Sequence, residues 1–137
     1  MTSYLLDTNI LSDLIRNPQG SVLRHIEAVG EEAIATNIIV AAELRFGAAK
    51  KGSAALKERV DTILSRLNIL PLEEGFDEVY GELRADLEMR GTPIGANDLL
   101  IAAHVRHLCV ERDWVLVTAN QKEFGRVDSL VLENWLK

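Results

Sequence analysis

The chain has 137 residues, 47% of them hydrophobic, the size of one domain with enough apolar surface for one proper core. Its 21 acidic residues against 15 Lys and Arg give a formal net charge of −6. That balance speaks against a broad basic surface for passive nucleic-acid binding, although an enzyme that gathers acids around divalent cations also looks acidic, because the count omits the metals. No stretch reaches the ~18 uninterrupted apolar residues of a membrane span, the N-terminus carries no signal-peptide pattern, and the single Cys109 excludes an intrachain disulfide. The expectation is a soluble cytoplasmic protein with no membrane partner, with Cys109 a small buried hydrophobe.

In chain order, short runs rich in β-formers alternate with longer helical periodicities. Strands are predicted near 3–6, 33–36, 67–70, 114–118 and 130–132. Helices are predicted near 8–16, 21–29, 37–51, 54–66, 74–90 and 97–108, with a short helical turn near 120–125. Asn17, Pro18 and Gly20 punctuate the first two helices, Gly52 and Ser53 the third and fourth, and GTPIG precedes the sixth. Such alternation predicts a mostly parallel sheet covered by helices on both faces, with ligands bound beyond the carboxyl ends of the strands.

Most of the acids lie in polar company and read as solvated: Glu31, Glu32, Glu73, Glu74, Glu78, Glu82, Glu88 and Glu123. Three do not. Asp7 ends the apolar run SYLL, Glu43 lies inside NIIVAAELRFGAA, and Asp98 lies in GANDLLIAAHV. Helical spacing gives Glu43 the neighbours Ile39 and Gly47, so its stripe is apolar or small. An unpaired carboxylate there is costly, and a metal ion removes the cost. Asp98 falls in the first turn of its helix, where the macrodipole favours the ionised form near neutral pH. Simpler readings stand beside these: Asp7 as a plain N-cap, Asp98 as complement to a helix start, Glu43 as partner of a buried cation. Thr118 and Asn120 close the strand WVLVT, and the neutral amide of Asn120 suits a supporting role better than direct ligation.

The blocks LLDTNILSDLI, IIVAAELRFGAAK, GTPIGANDLLIAAHV and VTANQKEF, in this order and spacing, together resemble a PIN domain, and specifically the VapC toxins of bacterial VapBC toxin–antitoxin systems. The resemblance spans nearly the whole chain and implies one PIN domain over residues 1–137, a three-layer α/β/α sandwich with a mostly parallel sheet of about five strands. It implies an endoribonuclease dependent on Mg²⁺, with Mn²⁺ also suited. Asp7, Glu43 and Asp98 match the acidic metal-binding positions. Asn120 occupies the fourth acidic position of many PIN domains, where this chain departs from the wider pattern, and Thr8, Asn9 and Thr118 are supporting residues. GTPIG resembles the GRPIG of a subgroup that includes toxins cutting initiator tRNA in the anticodon loop. A homodimer, a VapB-type antitoxin whose C-terminal segment inserts near the active site, a toxin–antitoxin hetero-oligomer, and contact with DNA only through the antitoxin are likewise implied.

Acids that hold a hard divalent ion through oxygen ligands serve phosphodiester hydrolysis, in which the ion activates water and stabilises charge on the phosphate. The expected ends are 5′-phosphate and 3′-hydroxyl. Arg45, Lys50, Lys51, Arg84 and Arg90 are the cations expected at the rim of an RNA groove. His104 and His107, with Cys109 behind them, superficially suit a soft metal, but two or three ligands without a second pair favour a structural role. Two other functions compete. Haloacid-dehalogenase-type phosphotransfer enzymes also place an Asp at an early strand end, yet they need an acid two residues later, where this chain has Asn9. A non-catalytic PIN-like binding module would have no need of the three acids.

Overall fold

The computed structural model describes residues 1–137. Five parallel strands form one sheet: β1 (Ser3–Leu6), β2 (Ile34–Asn37), β3 (Asn68–Leu70), β4 (Trp114–Val117) and β5 (Val131–Glu133), in the order β3-β2-β1-β4-β5. The helices are α1 (Thr8–Arg16), α2 (Ser21–Val29), α3 (Ile38–Lys51), α4 (Ala54–Ser65), α5 (Phe76–Met89), α6 (Ala96–Leu108) and the four-residue α7 (Gln121–Phe124), and a 3₁₀ turn (Glu31–Ala33) leads into β2. Every predicted element is present, with ends displaced by at most two residues.

From β1 the chain steps outward to β2 and β3, then crosses back over the sheet to β4 and outward again to β5. Right-handed crossovers therefore put α1–α4 on one face and α5–α7 on the other, which makes three layers. The direction reverses between β1 and β4, which pair in register from Ser3↔Trp114 to Leu6↔Val117. A sheet of this kind opens a crevice where its strand order reverses.

Burial follows the same geometry. Leu5, Leu6, Leu116 and Val117 are fully buried, whereas the edge strands β3 and β5 begin on exposed residues. The ends of the helices follow their sequence signals. Gly52 takes the left-handed conformation (φ 63°) that closes α3, and Ser53 Oγ then accepts from Leu56 N–H at 3.1 Å to start α4. Near the C-terminus Trp135, 1% exposed, stacks on His25 and closes over Tyr4.

Candidate active site

Past the last β1 residue, Asp7 N–H donates to the Val117 carbonyl at 2.9 Å. The β1–β4 pairing is thereby carried one residue further, and Asp7 and Thr118 come side by side beyond the strand ends. Asp7 is 4% exposed. Its Oδ1 accepts from Thr8 N–H at 2.8 Å, which caps α1, and its Oδ2 accepts from Thr118 Oγ1 at 2.7 Å. Burial outweighs both hydrogen bonds and raises the Asp7 pKa, and the charge of Glu43 pushes the same way.

Two further elements bring acids to this point. Glu43, half-buried on α3, accepts from Thr8 Oγ1 and, at 3.2 Å, from Asn97 Nδ2. Asp98, in the first turn of α6, accepts from Asn120 Nδ2 at 3.0 Å. Its pKa is pushed up to about 7, first by burial and then by the charges of Asp7, Glu123 and Glu43. The expected help from the α6 dipole is thus overridden: desolvation and the like charges outweigh a terminal half-charge.

Asp7, Thr8, Asn9, Glu43, Asp98 and Asn120 line one open cleft of about 440 Å³, together with Ser12 and Arg16, and no hydrophobic residue takes part. Thr118 supports it from below, donating to Asp7 and accepting from Asn120 N–H at 3.0 Å. Asn9 Oδ1 accepts from Ala119 N–H at 3.3 Å and ties the first helical turn to the loop after β4.

Glu123 departs from its solvated reading. Its Oε1 accepts from Gly95 N–H, just ahead of α6, and its Oε2 from Asn120 Nδ2 at 2.9 Å. These donors hold its pKa below the usual carboxylate range. The amide nitrogen of Asn120 therefore bridges two carboxylates, those of Asp98 and Glu123. The sequence signal for this was available in the three-residue spacing of Asn120 and Glu123 across one turn of helix. Arg16 carried a comparable signal, since Thr8, Ser12 and Arg16 recur every four residues and so share one stripe of α1.

The donor set is oxygen throughout, and several carboxylates meet with Arg16 as the one cationic side chain in the lining. That chemistry fits a hard divalent cation. As the side chains stand, no three acids close around one point to enclose an ion, each being held by a hydroxyl, amide or backbone donor.

The cations expected at the rim lie elsewhere. Arg45 pairs with Asp61 at 2.6 Å, Lys50 stands over the Phe46 ring, Lys51 is exposed at the end of α3, Arg84 binds Glu88 and Tyr80, and Arg90 binds Asp86 and the Arg126 carbonyl. None of the five lines the cleft. Four of them have partners of their own: Lys50, Arg84 and Arg90 meet a ring or carboxylate one turn away along the same helix, and Arg45 meets Asp61 on α4. His104 is 1% exposed and its Nδ1 accepts from Asn37 Nδ2 at 3.0 Å. His107 packs against Gly75. Cys109 is exposed rather than buried, because it caps α6 beyond the face that the sheet covers.

The PIN domain family matches residues 4–130. The chain is 41% identical over 136 residues to ribonuclease VapC2 of Rickettsia felis, covering 98% of both. It is 31% identical over 139 residues to the tRNA(fMet)-specific endonuclease VapC of Shigella flexneri, covering 98% of this chain and 99% of that one. Its fold superposes with a TM-score of 0.85 on a chain of Rickettsia felis VapBC2 bound to a DNA fragment from its promoter, at 40% identity over 98% of this chain and 99% of that chain. A five-stranded parallel sheet, an acid-lined cleft at its switch point and similarity along nearly the whole length lead to one conclusion: the chain belongs to the PIN-domain family and, within it, to the VapC toxins of VapBC systems.

Proposed function

We propose that this VapC-family nuclease is a toxin that hydrolyses RNA phosphodiester bonds with a divalent ion, Mg²⁺ or alternatively Mn²⁺, held by Asp7, Glu43 and Asp98. The observation that carries the reading is the meeting of these three carboxylates with Asn120 in a wholly polar cleft where the sheet's strand order reverses. When bound, the ion supplies Lewis-acid activation of water and of the scissile phosphate.

The chain's own residues supply the frame. Thr118 and the Thr8 N–H fix the Asp7 carboxylate, Thr8 Oγ1 and Asn97 fix Glu43, and Asn120 fixes Asp98. Fixed oxygens lower the reorganisation needed when charge develops on the phosphate. No histidine lines the cleft, so a general-base histidine acting on the 2′-hydroxyl has no place, and the products carry 5′-phosphate and 3′-hydroxyl ends.

The substrate is tRNA, and initiator tRNA in its anticodon loop is the first to test, since one relative is named as a tRNA(fMet)-specific endonuclease. The partner is a VapB-type antitoxin, through which DNA is met indirectly. A groove between α1 and α4, lined by Leu14, Ile15, Pro18 and Ile63, reaches the cleft at Arg16 and suits an antitoxin segment. Ile38 and Phe46, 49% and 66% exposed on the outer stripe of α3, suit the face of a homodimer. No helix is long and apolar enough to cross a membrane, which is compatible with action in the cytoplasm.

Purified protein is incubated with total cellular RNA in Mg²⁺ or EDTA, beside Asp7→Asn and Asp98→Asn, and new 5′-phosphate ends are sequenced. Discrete cuts that need both the metal and the carboxylates support the reading. Turnover of small phosphate esters with intact RNA would transfer it to phosphotransfer, and silence in both assays from folded protein would favour a binding module.

A further inference from the structure

Three acids repel the polyanion they are proposed to cut, so something in the cleft has to offset that repulsion for the RNA strand on either side of the scissile bond. Among the side chains that line the cleft, only Arg16 is cationic. It ends the stripe Thr8, Ser12, Arg16 along α1. At 1.5 Å per residue its Cα stands about 12 Å beyond that of Thr8, and helical side chains lean back toward the N-terminus, here toward the carboxylates.

Arg16 is also held more loosely than the other cations that pair with a carboxylate. Arg45 and Lys57 share Asp61 at 2.6 and 3.2 Å, Arg84 holds Glu88 at 2.8 Å, and Arg90 holds Asp86 at 2.9 Å. The carboxylate paired with Arg16 is Asp13 at 3.9 Å, whose Oδ1 already accepts from Asn17 Nδ2 at 3.0 Å, and the Arg16 side chain is 67% exposed. A planar guanidinium held so loosely keeps its donors free for a phosphate, which it binds in bidentate fashion.

Resting on the ribonuclease reading, we propose that Arg16 is the phosphate anchor of the cleft: it binds a backbone phosphate of the substrate RNA next to the bond that is hydrolysed. It positions the strand and takes no part in the bond-breaking itself, so its loss acts on binding rather than turnover.

The test uses an RNA carrying a site that the wild-type protein cuts in total RNA, with Arg16→Ala, Arg16→Lys and Arg16→Glu. Arg16→Ala is expected to raise KM about tenfold with kcat within about threefold, Arg16→Lys to recover part of the loss, and Arg16→Glu to exceed it. One lost phosphate contact should also lower the slope of log KM against log salt by ~0.7, the single-strand value. Because Arg16 lies on an exposed helix end, melting temperatures should be unchanged, which separates the anchor from a folding defect. An unchanged KM and salt slope overturns the proposal, as does a loss confined to kcat. It is equally overturned if the variants cut RNA normally but bind the antitoxin more weakly, for Arg16 would then serve the α1–α4 groove. A wild-type protein that cuts no RNA defeats the ribonuclease reading itself, an outcome distinct from these.

Discussion

Asp98 and His104 stand on one helix, α6, and both are titratable groups drawn out of water, yet their surroundings differ in kind. His104 meets a neutral partner: Asn37 Oδ1 accepts from Val40 N–H at 2.9 Å, so the Asn37 amide nitrogen faces His104 Nδ1 as a donor. Asp98 meets Asp7, Glu43 and Glu123, with one amide between. The first arrangement is complete within the folded chain, whereas the second is an excess of negative charge that a cation would relieve. Polar burial that closes on itself marks a structural group, and polar burial that leaves like charges facing one another marks a site.

The largest way to sharpen that contrast is to neutralise the acids. Asp7→Asn and Asp98→Asn are expected to lower RNA cleavage by at least ~10³-fold if they hold the metal. Neither should unfold the protein. Asp98→Asn keeps an oxygen for Asn120 while removing repulsion, so the metal-free variant should melt a few degrees higher than wild type, read by calorimetry in EDTA. A large drop in melting temperature would mean that the carboxylate is structural after all.

Next comes pH. With its pKa near 7 in the metal-free protein, Asp98 must lose a proton before it can ligate. Metal affinity should therefore rise about tenfold per pH unit below 7 and level off above it. Titration calorimetry of Mg²⁺ or Mn²⁺ in two buffers of different ionisation heat should find close to one proton released per ion at pH 6 and few at pH 8. Asp98→Asn abolishes the release. A pH-independent affinity would show that Asp98 is not a ligand.

A smaller effect is expected at Glu123. Its carboxylate clamps Gly95 N–H ahead of α6 and orients Asn120. Glu123→Ala frees both, and cleavage should fall about tenfold through misplacement of Asp98. Glu123→Gln should keep the Gly95 clamp but set two amide NH₂ groups face to face, and so recover only part of the loss. Single-turnover rates on the same RNA separate the three proteins.

The degree to which this could be seen in the sequence follows from how local each signal is. Strand and helix periods depend on neighbours within a few residues, and all the elements were legible. Asp7, Glu43 and Asp98 were legible because each interrupts an apolar context, which an ordinary surface acid does not. Glu123 was only half legible: its three-residue spacing from Asn120 was there to read, but LVTANQKEF gives it polar company and only the fold brings Gly95 within reach of it. Three of the expected cations, Arg45, Lys50 and Lys51, were sought beside Glu43, on a helix whose outer stripe of Ile38, Ala42 and Phe46 is exposed, and the other two, Arg84 and Arg90, on α5 and at its C-cap. Arg16 was missed because its link to the cleft runs along α1. Cys109 misled for a related reason: it stands between Leu108 and Val110 in an apolar run, but the helix ends at Leu108.

The smallest effect is the pH dependence of stability, where the two groups on α6 oppose each other. Burial, and then His107, lower the His104 pKa from 6.5 to about 4. Between those values the unfolded chain holds a proton that the folded chain lacks, so stability rises with pH across the window. Asp98 has its folded pKa raised from 3.8 to about 7. There the folded chain holds the extra proton, and stability falls as pH rises. In the metal-free wild type the two slopes run against each other between pH 4 and 6.5, with Asp7, also raised by burial, adding to the falling one, and the melting temperature should vary less than the Asp98 and Asp7 slope alone would give. Asp98→Asn removes its share of the falling slope and should shift the profile toward the rise owed to His104. His104→Asn, which keeps an acceptor near Asn37, lowers stability at every pH through the cavity it leaves, but should expose the opposite slope. Added Mg²⁺ should act like Asp98→Asn, because an ion that needs the ionised carboxylate stabilises the fold more at high pH than at low. If both variants kept the wild-type profile, neither group would be titrating in the folded protein as its surroundings require, and the contrast between the closed and the open cluster would fail.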